Sequence, residues 1–324
     1  MDSDLKVGIG AWLGSTSPTV AAITQQVAKT ESLGFHSFWL PESHFSSENS
    51  VPAPLILLAV AAAQTKTLFL GTGSFLLPIR NPIQMAEEVA VLDQLSSGRV
   101  ILGVGRGYQQ QLFSAYGTQA ANKREVFEEA LRKMISAWAG EAIEATVKRN
   151  DENIDPAYLF PLPFQRPHPP IWVAAFGPKA VEQAGRLGFP YLASPVETLS
   201  MLEAKYARHR EAHEKYNHEV AKSVPVMRTL FISQKTDQLK RVREKLDAEM
   251  RLRAESPVLA IRTSANASSA DWAIIGEPEE VSDKIASYRE RLGVTHLIAT
   301  QTRLSHLTSS ELEASLEFLA EIVN

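Results

Sequence analysis

The chain contains no cysteine. That excludes disulfides, thiolate metal sites and a thiol nucleophile together. No run of about 18 consecutive apolar residues occurs, so no segment is long enough to cross a bilayer as a helix. The N-terminus, MDSDLKVGIG, lacks a charged segment followed by an apolar one, and no secretory signal is expected. Neither sign of charge dominates: 33 Lys and Arg stand interspersed with 37 Asp and Glu, for a net charge of −4. This balance leaves no electrostatic footprint for nucleic acid and no polybasic patch for a membrane surface. G-x-S-x-G, a Walker loop and H-E-x-x-H are also missing. Hydrolase, kinase and zinc-protease chemistries therefore have no support, and no metal site is expected. A soluble cytoplasmic enzyme acting on a small molecule is the expectation that remains.

What is present is rhythm. The chain has 324 residues, 44% of them hydrophobic. That suits one α/β barrel, which takes about 250 residues plus insertions. Short apolar runs alternate with helical patterns from end to end, which argues for a parallel sheet. Strands are expected at Lys6–Trp12, His36–Leu40, Leu68–Ser74, Arg99–Gly105, Ile171–Ala175, Tyr191–Ser194, Val226–Ser233 and His296–Thr300. Helical patterns stand between them, the first over Pro18–Leu33 and the last over Ser309–Val323. Eight consecutive βα units predict a single-domain (β/α)8 TIM barrel over 1–324. Two stretches break the rhythm and read as insertions, residues 140–169 after strand four and 235–275 after strand seven. The second, with a charged helical pattern over Leu239–Arg253 and an irregular Ser/Ala-rich stretch over Ala254–Ile274, is the lid candidate.

In a barrel the chemistry lies at the C-terminal ends of the strands. Leu68–Tyr108 places two glycine-rich strand ends side by side, Gly71-Thr72-Gly73-Ser74 and Gly103-Val104-Gly105-Arg106-Gly107. They form a floor on which a flat ligand and its phosphate can lie against backbone. Arg106 offers a bidentate fork for phosphate, or a structural ion pair. The turn misses the Rossmann spacing. Strand five ends in Phe176-Gly177-Pro178-Lys179, where Gly177 as N-cap and Pro178 at the first helical position aim free N–H groups outward. Lys179 there opposes the helix dipole, which an anion nearby would offset. Strand two ends in Glu42-Ser43-His44, an acid and an imidazole suited to proton transfer or to satisfying a loop. His209, His213 and His218 read as a solvated helix face, and His168 as exposed.

These residues resemble the bacterial luciferase-like, flavin-dependent monooxygenases. The resemblance is carried by Phe35–Phe45, by Leu70–Gly73 through Asn81-Pro82, by Leu92–Arg99 and by Gly103–Tyr108. Pro169–Ala174 and Ile275–Val281 add to it. It implies a barrel that binds reduced FMN, supplied by a separate flavin reductase. O2 would add at the flavin C4a position, and the peroxide would oxygenate a small organic substrate. A sister branch uses the deazaflavin F420 for hydride transfer. Carried over by position, Arg106, Gly107 and the Phe176-Gly177-Pro178-Lys179 turn would hold the phosphate. Gly73-Ser74 would form a cis peptide beneath the ring, and Tyr108 would sit near ring or phosphate. His44 would bond the peroxide or substrate, with Glu42 orienting nearby groups. The family commonly forms homodimers through the helices flanking strands two to four. One departure matters: the first of the luciferases' two histidines is Ser43 here, and the position of their reactive cysteine is Gly105. Both argue against light emission and leave room for a non-catalytic, flavin-binding accessory protein.

Overall fold

The computed structural model describes residues 5–11, 19–45, 50–143, 155–219, 221–255 and 268–324. In chain order its elements begin with β1 (Lys6–Gly10), α1 (Val20–Ser32), β2 (Ser37–Leu40), α2 (Pro54–Gln64), β3 (Phe69–Thr72) and β4 (Phe75–Leu76). Next come α3 (Pro82–Leu95), β5 (Val100–Gly105), α4 (Gln110–Ala115), α5 (Lys123–Trp138), β6 (Ile171–Ala174), α6 (Pro178–Arg186) and β7 (Tyr191–Leu192). The chain continues with α7 (Leu199–Lys215), β8 (Pro225–Ile232), α8 (Thr236–Ala254), α9 (Ser269–Trp272), β9 (Ile274–Gly276), α10 (Pro278–Leu292), β10 (His296–Thr300) and α11 (Ser309–Val323).

The strands form one curled sheet in the order β7-β6-β5-β3-β2-β1-β10-β8-β9, with β4 paired to β5. Every pairing between these strands is parallel. An isolated parallel bridge joins Ala193, just past β7, to Val226 on β8. Strands of a parallel sheet are covered on both faces, and they read as unbroken apolar runs for that reason. β5, VILGVG, is buried along its whole length.

Inside the curl, Trp39 and Trp172 stack at 5.1 Å among Ile101, Leu192 and Ile298. At the N-terminal end of the strands His36 stacks on Phe69 at 4.7 Å, and His296 stands edge-on to Trp172 at 4.9 Å. Burial pushes His36 down to about 4 and His296 down to about 3, with Lys6 adding to both. Gly103 lets β5 approach β3: a Cβ there would lie 2.0 Å from the Thr72 carbonyl oxygen.

The helices start where their caps say they should. Thr19 caps α1, Asn81 caps α3 with Pro82 at the first helical position, and Thr308 with Glu311 closes a capping box on α11. Gly293, at φ 69°, ends α10 in the left-handed conformation that favours glycine.

Several expectations need correction. Within the segment 235–275, read as an insertion, the helical pattern over Leu239–Arg253 is a regular helix. Residues Thr236–Ala254 form α8, a wall helix that buries Leu239, Val242, Leu246 and Met250 in the core. The stretch expected to be irregular holds α9 and begins β9 at its end. What is left of the lid candidate is largely 256–267, outside the described residues. Of 140–169, residues 144–154 also lie outside them. Beyond them Gln165 is pinned to α3, its N–H and Nε2 donating to Asp93 carboxylate oxygens at 2.8 Å each. β4, β9 and α4 were not anticipated; each is too short to carry a periodic signal. Among the described residues no helix is long and apolar enough to cross a membrane.

Candidate active site

A cavity of about 600 Å³ opens at the C-terminal ends of β3, β5 and β6. That lies within the range of small-molecule and cofactor pockets, about 300–1,000 Å³. It brings together, from the strand ends, Glu42, Ser43, His44, Gly73, Ser74, the Gly105–Tyr108 turn, and Phe176 through Lys179, while Gly71, Thr72, Gly103 and Val104 stay outside its lining.

One end is an acid–imidazole cluster. The side chains of Glu42 and His44 are buried, 0% and 2% exposed, with Glu42 Oε1 2.6 Å from His44 Nε2. The carboxylate is fully engaged. Oε2 accepts from the Leu76 N–H at 2.9 Å, and Oε1 also accepts from Arg80 Nη1 at 2.7 Å. Arg80 lies over the Phe75 ring and donates to the carbonyls of Leu76 and Pro52. Ser43 clips the same loop: its N–H donates to Val51 O, and its Oγ accepts from Val51 N–H at 2.9 Å. The floor between the ends is Gly73-Ser74, whose peptide bond is cis. A Cβ on Gly105 would stand 2.2 Å from Ser74 Oγ, so β5 must be glycine where it meets this floor.

The other end is cationic. Arg106, Arg124 and Lys179 line it, with Gly177 as the N-cap of α6 and Pro178 at its first turn. Arg106 is itself held by the protein. Nε and Nη2 donate to Gln183 Oε1 at 2.9 and 2.7 Å, Nη1 to Ala174 O at 3.2 Å, and Nη2 to Ala180 O at 3.5 Å. Its guanidinium lies over the Phe127 ring, 4.5 Å from the centroid. Burial, reinforced by Arg124 and opposed by Glu128, brings Arg106 down to about 10, still cationic at neutral pH. Gln183 in turn donates to Glu128 Oε2 at 2.9 Å, and Glu128 pairs with Arg186. Gln183 and Glu128 escaped the sequence reading. They lie mid-helix on α6 and α5, where nothing marks them apart from ordinary polar positions.

Other expectations fare differently. His209 and His213 do not lie on a solvated face: they are buried, with His209 Nε2 2.8 Å from Phe189 O and burial lowering its proton affinity. The reason is that α7 packs against α6 through this side, and a Cβ on Gly185 would touch His209 O. His168 is half-buried, its Nδ1 2.8 Å from Pro169 O.

The luciferase-like monooxygenase family profile matches residues 5–296, and the chain belongs to that family. It is 32% identical over 173 residues to the oxygenase component of a flavin-dependent trigonelline monooxygenase from Acinetobacter baylyi, covering 50% of this chain and 45% of that one. The chain spans about half the length of the curated relatives it matches. Among solved structures it resembles the oxygenating constituent of 3,6-diketocamphane monooxygenase from Pseudomonas putida, in complex with FMN. The TM-score is 0.80 at 20% identity, over 99% of this chain and 98% of the other. An F420-dependent secondary alcohol dehydrogenase gives a TM-score of 0.76 at 18% identity, over 99% of each chain. At such identities the structures speak for the fold alone.

Proposed function

We propose that the chain is the oxygenase component of a two-component flavin-dependent monooxygenase, built on a single closed (β/α)8 barrel domain. It would use reduced FMN from a separate reductase, together with O2, to oxygenate a small organic substrate in the cytoplasm. The observation that carries this reading is one cavity joining a cationic helix N-terminus to a glycine floor and a buried acid–imidazole pair. The residues fit the cofactor. A phosphate suits the end where Arg106, Arg124, Lys179 and the first turn of α6 converge, since cations and free N–H groups both favour it. Phe176, Gly177, Pro178, Gly107 and Tyr108 would border the phosphate and ribityl chain. The Gly73-Ser74 backbone leaves a flat surface for the ring. When bound, the flavin supplies the oxygen chemistry. The chain's own part is to hold the phosphate, keep the ring on its floor and exclude water, with His44 and Glu42 arranging protons at the far end. The exposed Ile56, Val91 and Leu95 on α2 and α3 support a homodimer through those helices.

F420-dependent hydride transfer is the second reading. It is favoured by the number of cations at the phosphate end, which would suit a longer anionic tail. The two separate in one experiment. Oxygen uptake driven by reduced FMN, with product carrying label from 18O2, supports the monooxygenase. Turnover with reduced F420 in the absence of O2 would replace it with the hydride-transfer reading. Tight FMN binding without oxygen uptake on any candidate substrate would favour the accessory protein.

A further inference from the structure

Both ring nitrogens of His44 are committed inside the protein. Nε2 lies 2.6 Å from Glu42 Oε1, and Nδ1 lies 3.3 Å from the Tyr116 hydroxyl. A carboxylate only accepts, so the hydrogen between Glu42 and His44 belongs to Nε2. The negative charge of Glu42 is already matched by Arg80, whose Nη1 is 2.7 Å from the same oxygen. The Nε2–H tautomer leaves a lone pair on Nδ1, and the Tyr116 O–H is placed to cap it.

Tyr116 comes from outside the strand ends. It is the C-cap of α4, its N–H donating to the carbonyl of Leu112, which lines the cavity. Its ring stands edge-on to His44 at 5.5 Å and borders Phe45 at 6.4 Å, and the residue is 43% exposed. A half-exposed phenol whose hydroxyl points back to a buried imidazole has one polar task there.

We propose that Tyr116 is a positioning residue, whose hydroxyl caps Nδ1 and holds His44 in the Nε2–H tautomer. His44 then offers no free lone pair to a bound ligand while Tyr116 is in place. A ligand that displaces the phenol uncovers Nδ1 as a base. Its importance for catalysis rests on the functional reading above, but its test does not.

The test is 15N NMR of histidine-labelled, flavin-free full chain at pH 7, with His44 identified among the eight histidines by its loss in His44→Gln. In the wild type, Nε2 carries the proton and Nδ1 shows the shift of a hydrogen-bonded acceptor. Tyr116→Phe keeps the ring and removes the donor. Nδ1 then moves towards the unbonded value, and solvent exchange of the Nε2 proton speeds up by about three- to tenfold, the worth of one neutral hydrogen bond. A proton on Nδ1 in the wild type overturns the proposal, and so does a His44 spectrum unchanged in Tyr116→Phe. The wild-type assignment stands as a test even if the variant fails to fold. Flavin binding is measured separately, so loss of the functional reading and loss of this one are distinguishable.

Discussion

The two arginines that bracket β5 invite comparison. Arg99, at its N-terminal end, spends all five N–H groups on the protein: Ser96 O, Thr65 Oγ1, Leu68 O, Ala62 O and Thr65 O, at 2.6 to 3.2 Å. Four of its five acceptors are backbone carbonyls, so it ties α2, α3 and β3 to β5. Arg106, at the C-terminal end, makes four such bonds, faces a cavity, and shares that cavity with Arg124 and Lys179. One N–H of its Nη1 has no protein acceptor among the described residues. Both residues sit in the stretch that carries the family resemblance, yet one spends every donor on the scaffold and the other leaves one donor open to a ligand.

Substitutions at the two ends should break the protein in different ways. Arg99→Ala strands several buried carbonyls and should cost about 3–5 kcal/mol of stability, while the folded fraction binds flavin normally. Chemical denaturation with parallel flavin titration checks both halves, and a mild stability loss would show that the staple is redundant. Arg106→Ala should cost less stability, about 1–3 kcal/mol, but reduce FMN affinity by about tenfold to a hundredfold. An FMN affinity within twofold of wild type would remove Arg106 from the phosphate site. Lys179→Ala, at an exposed residue that makes no side-chain bond among the described residues, should lower affinity by a few-fold at low salt and less at high salt.

The smallest effect concerns pH and the N-terminal end alone. His36 and His296 are held well below the ordinary histidine value in the folded chain. The unfolded chain takes up protons as pH falls below about 6.5, while these two do not until near 4 and 3. Their stabilisation is therefore present above pH 6.5 and is lost as pH drops. Between pH 6.5 and 5, above the carboxylate range, the loss should be about 1 kcal/mol for each, reduced by solvent reach. His296→Gln should flatten the slope measured by denaturation at successive pH values; an unchanged slope would place the sensitivity elsewhere.

How much of this was legible in the sequence follows from range. Eight of the ten strands were readable because each is a buried apolar run between turn signals, and α6 announced itself through Gly177-Pro178. The strand-end residues converge because a parallel sheet aims all its C-terminal ends one way. What stayed hidden depends on contacts between residues far apart in sequence. Gln183 meets Arg106 across 77 positions and Tyr116 meets His44 across 72. His209 and His213 looked solvent-facing because α7 is rich in charge, although they lie on the same buried side as Leu202, Tyr206 and Ala212. Arg106 was read as a choice between phosphate fork and structural pair. The geometry makes it a held residue with a remaining donor.

The central claim is that the cationic end of the cavity takes the phosphate of a flavin. The most direct test is calorimetric titration of the intact chain with FMN and with riboflavin, which differ only in that phosphate. The account predicts that FMN binds at least about tenfold more tightly, and that Arg106→Ala closes most of the gap. Equal affinity for the two, or a gap untouched by Arg106→Ala, would contradict it.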